Sequence, residues 1–546
     1  MPEDSVRPLE RGLAVLRSLT APGQSQQMRA SDLVHVTGLA RSTIDRIVTT
    51  LTHLGYVRQQ GVELRLTPQL MKLGNAYLAA SAPAREITQQ VATLADELDE
   101  SVSLAALDGD AVRFIAQSPR RRAMSVAFQV GDLLPAERSA AGAVFAADWD
   151  DRQWAAWRRR AASDPHGLTF PRLRPRPVTE EDFAQRAEQG RTRGWAVDDQ
   201  LVEPGLVAVA VPVACEGPTR YALSMVSHVS RHSAQELADI ALPRLHHESA
   251  VLARLFRQHA TQSRAGREHM VPWPAHTVGE AKSELGSGFL QSLARGLAVL
   301  EAFEAASGDG LPVSAIAQIT GLPRTTVRRC LVALEQQGYA EHSDGLFRLL
   351  PRVLELGHSR IAALSFSDLL TPHLHALVDR VQESASVTVL DDTSILYVAR
   401  VPTVRIMTVH IALGTRFPAY TTAMGRVLLS GLPAAERDTI IAASQPRAFT
   451  RHTVTSPARL RTLITAASQQ GYAAIDQELE EGLRSVAVPI KDADGNVIAA
   501  LNVAQHSGGT PLQETSDQLL PALRDSARAI ENDLHTMTRF SALPIP

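Results

Sequence analysis

The chain repeats one long pattern, and this repeat limits the folds open to it more than any other feature. The segment RGLAVL occurs at 11–16 and again at 295–300. Four more pairs of matching segments follow in the same order: GLARSTIDRIVTTLTHLGYV (38–57) with GLPRTTVRRCLVALEQQGYA (321–340), TPQLMKLG (67–74) with LPRVLELG (350–357), VGDLLPAERSAAG (130–142) with LGTRFPAYTTAMG (413–425), and GWAVDDQLVEPGL (194–206) with GYAAIDQELEEGL (471–483). A period of this length indicates duplicated domains rather than a solenoid of short repeats.

The repeat and the chain length together give a domain plan. At about 150 residues per domain, a chain of this size is expected to hold three or four domains. Residues 258–288 lack apolar periodicity and are rich in polar residues, Pro and Gly, which predicts a linker. We therefore predict a small domain, a large domain, a linker, a second small domain and a second large domain, at 5–70, 71–257, 258–288, 289–351 and 352–540.

The composition narrows the class of protein. Hydrophobic residues make up 45% and charged residues 21%, as is usual for a globular chain. Neither an apolar run long enough for a membrane span nor a secretory leader is recognised. Cys215 and Cys330 are the two cysteines, which excludes a disulfide framework and a cysteine-rich zinc site and favours the cytoplasm. A net charge of −3 argues against a general polyanion binder but leaves a local basic surface open.

The small domains carry the pattern of a winged helix-turn-helix. In the second copy, residues 293–305 show one apolar stripe, and PVSAIAQIT predicts a short second helix. Gly321 suits the C-cap of that helix, and Pro323 suits the first position of a third helix. The segment GYAEHSDGLFRLL then predicts a hairpin with Asp-Gly at its turn. In the first copy the matching hairpin, or wing, runs from Arg58 to Arg65.

The third helix of each small domain has a polar face that suits DNA. Such a helix enters the major groove, where arginines hold phosphate or read guanine, and hydroxyl groups contact phosphate. The predicted DNA-binding residues are Arg41, Ser42, Thr43 and Arg46 in the first copy and Arg324, Thr325, Thr326, Arg328 and Arg329 in the second. A solvated surface or a protein-interaction module is the alternative for one copy alone, and two copies with the same signature favour DNA.

Asp45 departs from this pattern, because the second copy has Arg328 there. A carboxylate at this position would repel phosphate. It could accept a hydrogen bond from a cytosine amino group, or it could pair with Arg41 or Arg46 within the protein. The sequence leaves both readings open.

These motifs resemble the IclR family of bacterial transcription regulators. The resemblance rests on RGLAVL, the helix-turn-helix, PRVLELG, FPAYTTAMGRVLL and GYAAIDQELEEGLRSVAVPI. The second copy is similar to the branch that controls aromatic-acid degradation through the β-ketoadipate pathway. The family implies a fold of two winged helix-turn-helix domains and two α+β, GAF-like effector domains. It also implies operator DNA and a small organic acid, of the aromatic or a related carboxylic class, as partners, and no cofactor.

The strand pattern of the large domains agrees with an α+β fold. SASVTVLDDTSILYVARV (384–401) predicts two strands around a turn, and RIMTVHIAL predicts a third. SVAVPIKDADGNVIAALNVA (485–504) predicts a hairpin, and helices precede and separate these strands. After each wing, MKLGNAYLAA and VLELGHSRIAAL are expected to form the helix that links the two kinds of domain.

The family resemblance also implies an effector site in each large domain. The implied residues are Thr422, Ala423, Met424, Ile475, Asp476, Arg484, Ser485, Asn502 and Ala504 in the second copy. The matching positions in the first copy are Ala140, Ala141, Asp198, Asp199, Ala208, Ser224 and Val226. Arg484 is the candidate partner for an acid, with a plain surface role as the alternative. The first copy has Val207 there, so we expect it to bind a different ligand or none.

Two other functions compete with a ligand-responsive regulator. Asp476, Glu478, Glu480 and Glu481 lie too close together on one segment to act as paired catalytic carboxylates. His246–His247 and His373–His375 lack the spacing of helical metal ligands, so neither an enzyme nor a metal site is predicted. Alternatively, the second copy alone binds DNA and ligand while the first serves assembly.

Two non-identical recognition helices in one chain predict that the operator DNA is an imperfect palindrome. The sequence leaves open whether the chain forms homo-oligomers. It also leaves open whether the protein activates or represses transcription.

Overall fold

The fold was analysed in a computed structural model. The structure describes residues 7–21, 28–81, 84–120, 128–170, 173–174, 176–215, 219–265, 285–306, 310–403, 411–507 and 511–540. The chain forms two compact units, one of residues 1–363 with 539–541 and one of 364–538 with 542–546. The first unit contains both small domains and the first large domain, and the second contains the second large domain.

The helices and strands of the described chain alternate as the repeat predicts. The helices are α1 (Arg7–Thr20), α2 (Ala30–Thr37), α3 (Arg41–His53), α4 (Met71–Ser81), α5 (Ala84–Leu98), α6 (Ala140–Ala146), α7 (Asp151–Ser163), α8 (Glu180–Arg193), α9 (Ala234–Ala265), α10 (Gln291–Glu301), α11 (Val313–Thr320), α12 (Arg324–Gln336), α13 (His358–Ala362), α14 (Phe366–Val381), α15 (Ala423–Ser430), α16 (Ala434–Ala443), α17 (Pro457–Gln470) and α18 (Leu512–Thr538). The strands are β1 (Met28–Arg29), β2 (Val57–Gln60), β3 (Glu63–Leu66), β4 (Ser101–Asp108), β5 (Ala111–Ser118), β6 (Leu133–Pro135), β7 (Ala196–Asp199), β8 (Leu206–Val213), β9 (Tyr221–His228), β10 (Ala340–Ser343), β11 (Leu346–Leu349), β12 (Ser384–Asp391), β13 (Ser394–Val401), β14 (Arg416–Pro418), β15 (Ala473–Asp476), β16 (Leu483–Lys491) and β17 (Val497–His506).

Each small domain is a winged helix-turn-helix, as predicted. In the second copy Gly321 ends α11 in the left-handed conformation, with φ of 65°, which glycine adopts without strain. The apolar stripe of α12 is buried, including Val327, Leu331 and Leu334. The wing turns at Asp344 and Gly345, both with positive φ. In the first copy Gly38 and Gly61 play the corresponding parts.

Four local expectations need correction. Pro323 is the N-cap of α12 rather than its first helical residue. The first helix of the second copy ends at Glu301 and continues as a 3-10 turn. Helix α9 runs to Ala265, into the predicted linker, most of which lies outside the described residues. The second connector is a 3-10 turn and a short helix, because Gly357 with φ of 138° interrupts it.

Each large domain contains a six-stranded antiparallel sheet. The strand order is β6-β5-β4-β9-β8-β7 in the first and β14-β13-β12-β17-β16-β15 in the second. In the second domain α15 and α17 pack with one apolar cluster on one face, here called the α15 face, while α14 and α18 cover the other. The predicted third strand at 405–413 falls mostly outside the described residues. None of the described helices is both long and apolar enough to cross a membrane.

Candidate DNA interface and effector site

Helices α3 and α12 present the predicted DNA-binding residues to solvent. Their apolar stripes pack inward, so the opposite faces remain open. The exposed side chains are Arg41, Ser42 and Arg46 on α3 and Arg324, Thr325, Arg328 and Arg329 on α12, while Thr43 and Thr326 are half-buried. This arrangement satisfies the steric requirement for entry into a major groove.

In the structure Asp45 pairs with Arg41 within its own helix. Arg41 Nε donates to Asp45 Oδ1 at 2.8 Å, one turn along the same helix. The two side chains are 60% and 53% exposed, so the pair contributes only about 0.3–0.5 kcal/mol to stability. Its larger effect is electrostatic, because the carboxylate offsets one cation on the exposed face of α3.

The predicted wall of the effector site is the start of α15. Thr422 is its N-cap, and its Oγ1 accepts a hydrogen bond from Gly425 N at 3.0 Å. Ala423 and Met424 are buried in the apolar cluster of the α15 face. A Cβ on Gly425 would lie 2.0 Å from the Ala419 carbonyl oxygen, so glycine is required for this tight turn into the helix.

The strand register separates the other candidates into two groups. Residues directly opposite on neighbouring strands share a face of the sheet. Ala504 is opposite Ser485, and Ser485 is opposite Ile475, whose side chain belongs to the α15-face cluster. Asn502 is opposite Ala487 of the same cluster. These candidates therefore share the α15 face with Thr422.

Arg484 and Asp476 lie on the opposite face. Arg484 Nε and Nη2 donate to the two carboxylate oxygens of Asp476 at 3.1 and 3.0 Å. Its Nη1 donates to Thr515 Oγ1 on α18 at 2.9 Å. The guanidinium is thus held by an internal acid on the α18 side. Arg484 and Asp476 therefore do not share a face of the sheet with Thr422, Ser485 and Asn502, with which they were predicted to form one site.

Sequence reasoning missed a different cation on the α15 face, Arg400. It is opposite Ser386 on β12, and Ser386 is opposite Asn502 on β17. Arg400 Nη1 donates to the Ile411 carbonyl at 2.9 Å, and burial lowers the pKa of Arg400. Burial raises the pKa of Tyr397, while the Arg400 charge acts to lower it, so the two side chains are close.

Buried polar atoms accompany this arginine. Thr388 and Asn502 are 0% and 1% exposed, yet Thr388 Oγ1 and Asn502 Oδ1 have no hydrogen-bond partner among the described residues. Thr388 is opposite Ala500, which belongs to the α15-face cluster. Leaving buried polar atoms unpaired is costly, and a ligand is one way to satisfy them. In the sequence, this polar group could have been recognised as an arginine and several polar residues within otherwise apolar strands.

The matching row of the first large domain is neutral. Gln117 stands at the position of Arg400, opposite Ser103, which is opposite Ser224. Ser224 Oγ donates to the Ser103 carbonyl at 3.4 Å. Asp198 stands at the position of Ile475 and is 1% exposed; burial raises its pKa to about 7. The two copies therefore offer different chemistry on equivalent faces.

Two of the remaining candidates, Glu478 and His373, have structural partners. Glu478 Oε2 accepts from the buried Arg426 Nη2 at 2.6 Å, so it is part of an ion pair. His373 Nε2 lies 2.9 Å from Asp533 Oδ2. Within the residues that the structure describes, no three acids, histidines or cysteines converge as metal ligands.

Comparison with known protein families agrees with this division of the chain. The model for the IclR helix-turn-helix domain matches residues 8–61 and 292–344, and the model for the C-terminal domain of bacterial transcriptional regulator IclR matches 76–250 and 359–532. The chain belongs to the IclR family. It is a DNA-binding transcription regulator and not an enzyme.

Individual relatives of this IclR regulator match less than half of its chain. The Pca regulon regulatory protein of Pseudomonas putida is 39% identical over 45% of this chain and 84% of its own length. The p-hydroxybenzoate hydroxylase transcriptional activator of Acinetobacter baylyi is 32% identical over 47% of this chain and 95% of its own. A solved transcriptional regulator from Rhodococcus sp. RHA1 is 44% identical, with a TM-score of 0.43, over 46% of this chain and 100% of that one.

Proposed function

We propose that this regulator binds operator DNA through both recognition helices and responds to a hydroxylated aromatic or related carboxylic acid held in its second large domain. The row formed by Arg400, Ser386 and Asn502 carries the proposal. It places a cation at one end and a buried polar group without a described partner at the other. Strands two places apart are separated by about 10 Å, so one small ligand can contact both ends.

The chemistry of the row suits a hydroxylated acid. The Arg400 guanidinium can donate two hydrogen bonds to a carboxylate in its own plane. Thr388 Oγ1 can donate a further one, and Asn502 Oδ1 can accept from a ligand hydroxyl group. The apolar side chains of Met424 and Ile475 lie on the same face and suit the flat surface of a ring.

The names of two relatives point to the same ligand class. One controls the Pca regulon and the other activates p-hydroxybenzoate hydroxylase, an enzyme named for an aromatic acid. A regulator that responds to the substrate of the pathway it controls would need a site for such an acid.

The DNA-binding part of the proposal rests on the two exposed helices within one compact unit. Because α3 and α12 differ in sequence, we expect an operator with two unequal half-sites, an imperfect palindrome. One chain can then supply what two single-unit protomers would supply, and homo-oligomers of the chain would add further half-sites. The protein would act in the cytoplasm, where its operator lies.

Ligand-dependent thermal stabilisation of the full chain tests the effector site. Hydroxybenzoates and dihydroxybenzoates are compared with 4-hydroxybenzamide, which keeps the ring and the hydroxyl group but lacks the charge. A ligand at 100 times its Kd adds about 2.7 kcal/mol to the free energy of unfolding. The key variant is Arg400→Gln, because the first copy carries glutamine at this position in an equivalent sheet.

We expect the acids, and not the amide, to raise the melting temperature, and Arg400→Gln to abolish that rise. Arg484→Ala serves as the matched control; it should lower the starting temperature but keep the acid-dependent rise. The reverse pattern, with the response lost in Arg484→Ala and kept in Arg400→Gln, would refute the assignment. Operator binding is measured separately, so loss of the acid site leaves the DNA claim intact.

A further inference from the structure

The two winged helices pack against each other through a reciprocal contact of their first helices. Leu293 of α10 covers Gly12 of α1, and a Cβ on Gly12 would lie 2.3 Å from Leu293 Cδ1. In the same way Leu9 of α1 covers Gly296 of α10, where a Cβ would lie 2.4 Å from Leu9 Cδ1. Leu9 matches Leu293 and Gly12 matches Gly296 in the repeat. The contact therefore has the form of a symmetric dimer interface within one chain.

Each side of this contact contains a tyrosine that meets the first helix of the other copy. The Tyr56 hydroxyl of the first copy donates to the Glu301 carboxylate on α10. The Tyr339 hydroxyl of the second copy accepts from Arg17 Nη1 on α1 at 3.4 Å and donates to Glu355 at 2.7 Å. Both tyrosines are buried.

The charges around the two tyrosines are exchanged. Arg17 and Glu301 occupy the same position in the repeat, as do Lys72 and Glu355. Burial raises the pKa of Glu301 to about 7, while the hydrogen bond from Tyr56 and the Lys72 charge act to lower it. Around Tyr56, the first helix carries the acid Glu301 and the segment after the wing carries the cation Lys72. Around Tyr339 the signs are reversed: the first helix carries the cation Arg17 and the segment after the wing carries the acid Glu355.

Pairing of like copies would lose this compensation. Two first copies would bring Arg17 to Tyr56 and Lys72, placing two cations together. Two second copies would bring Glu301 to Tyr339 and Glu355, placing two acids together. Like charges brought together across the contact repel each other, and Arg17 and Glu355 are only partly screened by solvent because they are half-buried, so the exchange disfavours both homotypic pairs.

Other charges near Glu355 make the two homotypic pairs unequal. Arg352 Nε lies 3.2 Å from Glu355 Oε1, and Arg113 Nη2 lies 3.9 Å from Glu355 Oε2. Arg352 belongs to the second copy and would soften the repulsion between two second copies. The first copy has Gln69 at that position, which carries no charge. Pairing between two first copies is therefore the more strongly disfavoured.

We infer that the exchanged charges, Arg17 and Glu355 around Tyr339 and Glu301 and Lys72 around Tyr56, make each winged helix select the other copy, so that every DNA-binding pair contains one α3 and one α12. Chains then do not associate through two first copies, even at high concentration. This inference concerns pairing and does not depend on the acid site. It adds to the proposed operator a physical reason why its two half-sites must be unequal.

A charge-reversal cycle in the full chain tests the pairing energy. Arg17→Glu places two acids at Tyr339, and Glu355→Lys places two cations there. The double variant restores opposite charges in the arrangement found around Tyr56. Hydrogen exchange of peptides from α1 and α10 reports local opening. We expect each single variant to increase the opening constant about tenfold relative to the native chain. In the double variant, the logarithm of the opening constant should rise by less than half as much as in either single variant.

Arg11→Glu is the matched control, because Arg11 lies on the same helix but is exposed. It should leave the opening constant within about twofold of the native chain, as expected for a surface substitution. Effects of the two reversals that simply add in the double variant would overturn the inference.

Energy transfer between chains tests selectivity directly. Ser42→Cys in a Cys215→Ser, Cys330→Ala background carries the donor dye on some chains and the acceptor on others. The chains are mixed in urea and refolded together. Energy transfer between the first copies of two chains should be low with native charges. It should be clearly higher in the Arg17→Glu, Glu355→Lys background, because there each copy carries an acid on its first helix and a cation after its wing and can pair with a like copy. Equal transfer in both backgrounds, whether high or low, would overturn the inference.

Discussion

The Tyr56 hydroxyl of one winged helix donates to the Glu301 carboxylate of the other, and both groups are buried. The pKa of Glu301 is raised to about 7, so the folded chain binds a proton that the unfolded chain has already released. The stability this contributes is fully present below the ordinary pKa of a glutamate and is lost as the pH rises through 7.

From this relationship we expect the opening free energy of α10 to fall by roughly 2–3 kcal/mol between pH 5 and pH 8. Hydrogen exchange, corrected for the intrinsic effect of pH, measures it. Glu301→Gln keeps an acceptor for Tyr56 but cannot ionise, so it should flatten the profile. A fall of the same size in Glu301→Gln would assign the pH dependence to another group.

Asp45→Ala is expected to tighten binding to DNA of any sequence, because it removes the carboxylate that pairs with Arg41. Removing one repulsive charge should steepen the dependence of log affinity on log salt by about 0.9. Titrations at several salt concentrations measure both. The mirror substitution, Arg328→Asp, places an acid one turn after Arg324 and should weaken binding. The prediction requires DNA affinity to rise in Asp45→Ala and to fall in Arg328→Asp.

Arg324→Ala is expected to cost about 1–3 kcal/mol of operator affinity if its side chain reads guanine. It is exposed at the first position of α12, where base contacts are made. The measurement compares the operator with variants changed one base pair at a time. A loss confined to some bases supports direct reading, whereas an equal loss on every sequence would reduce Arg324 to a phosphate contact.

We expect one acid molecule to bind per chain. The first large domain has Gln117 in place of Arg400 and the buried Asp198 in place of Ile475, so a carboxylate would lack its cation and face an acid. Isothermal titration calorimetry gives the stoichiometry. Gln117→Arg with Asp198→Ile should create a second, weaker site, and Gln117→Arg alone should not. Two equal sites in the native chain would contradict this account.

Local patterns were sufficient to predict the architecture. The apolar stripe of the third helices and the Asp344–Gly345 and 491–497 turns depend on residues close together in sequence, and the structure has the elements there. The repeat carries the same local patterns into the second half of the chain. The exposed faces of α3 and α12 follow from the same periodicity. The bulk of the fold and the exposure of the predicted DNA-binding residues could therefore be predicted.

The face of a strand residue could not be predicted so simply. Alternation along β13 would place Tyr397 and Arg400 on opposite faces. The register shows one extra residue between them, since Val387 is opposite Ala399 while Thr388 is opposite Tyr397. This bulge turns Arg400 onto the same face as Tyr397. Arg484, which looked equally suitable, follows unbroken alternation onto the other face.

The sequence by itself determined the duplicated plan, the winged helices, the strands of the sheets and the exposed faces of α3 and α12, because periodicity and turn chemistry are local. Only the tertiary structure decided which arginine lies on the α15 face and which residues meet across the winged-helix contact. Tyr56 and Glu301 are 245 residues apart, and no local pattern relates them. Their meeting depends on packing between α1 and α10, where two glycines let two leucines close the contact.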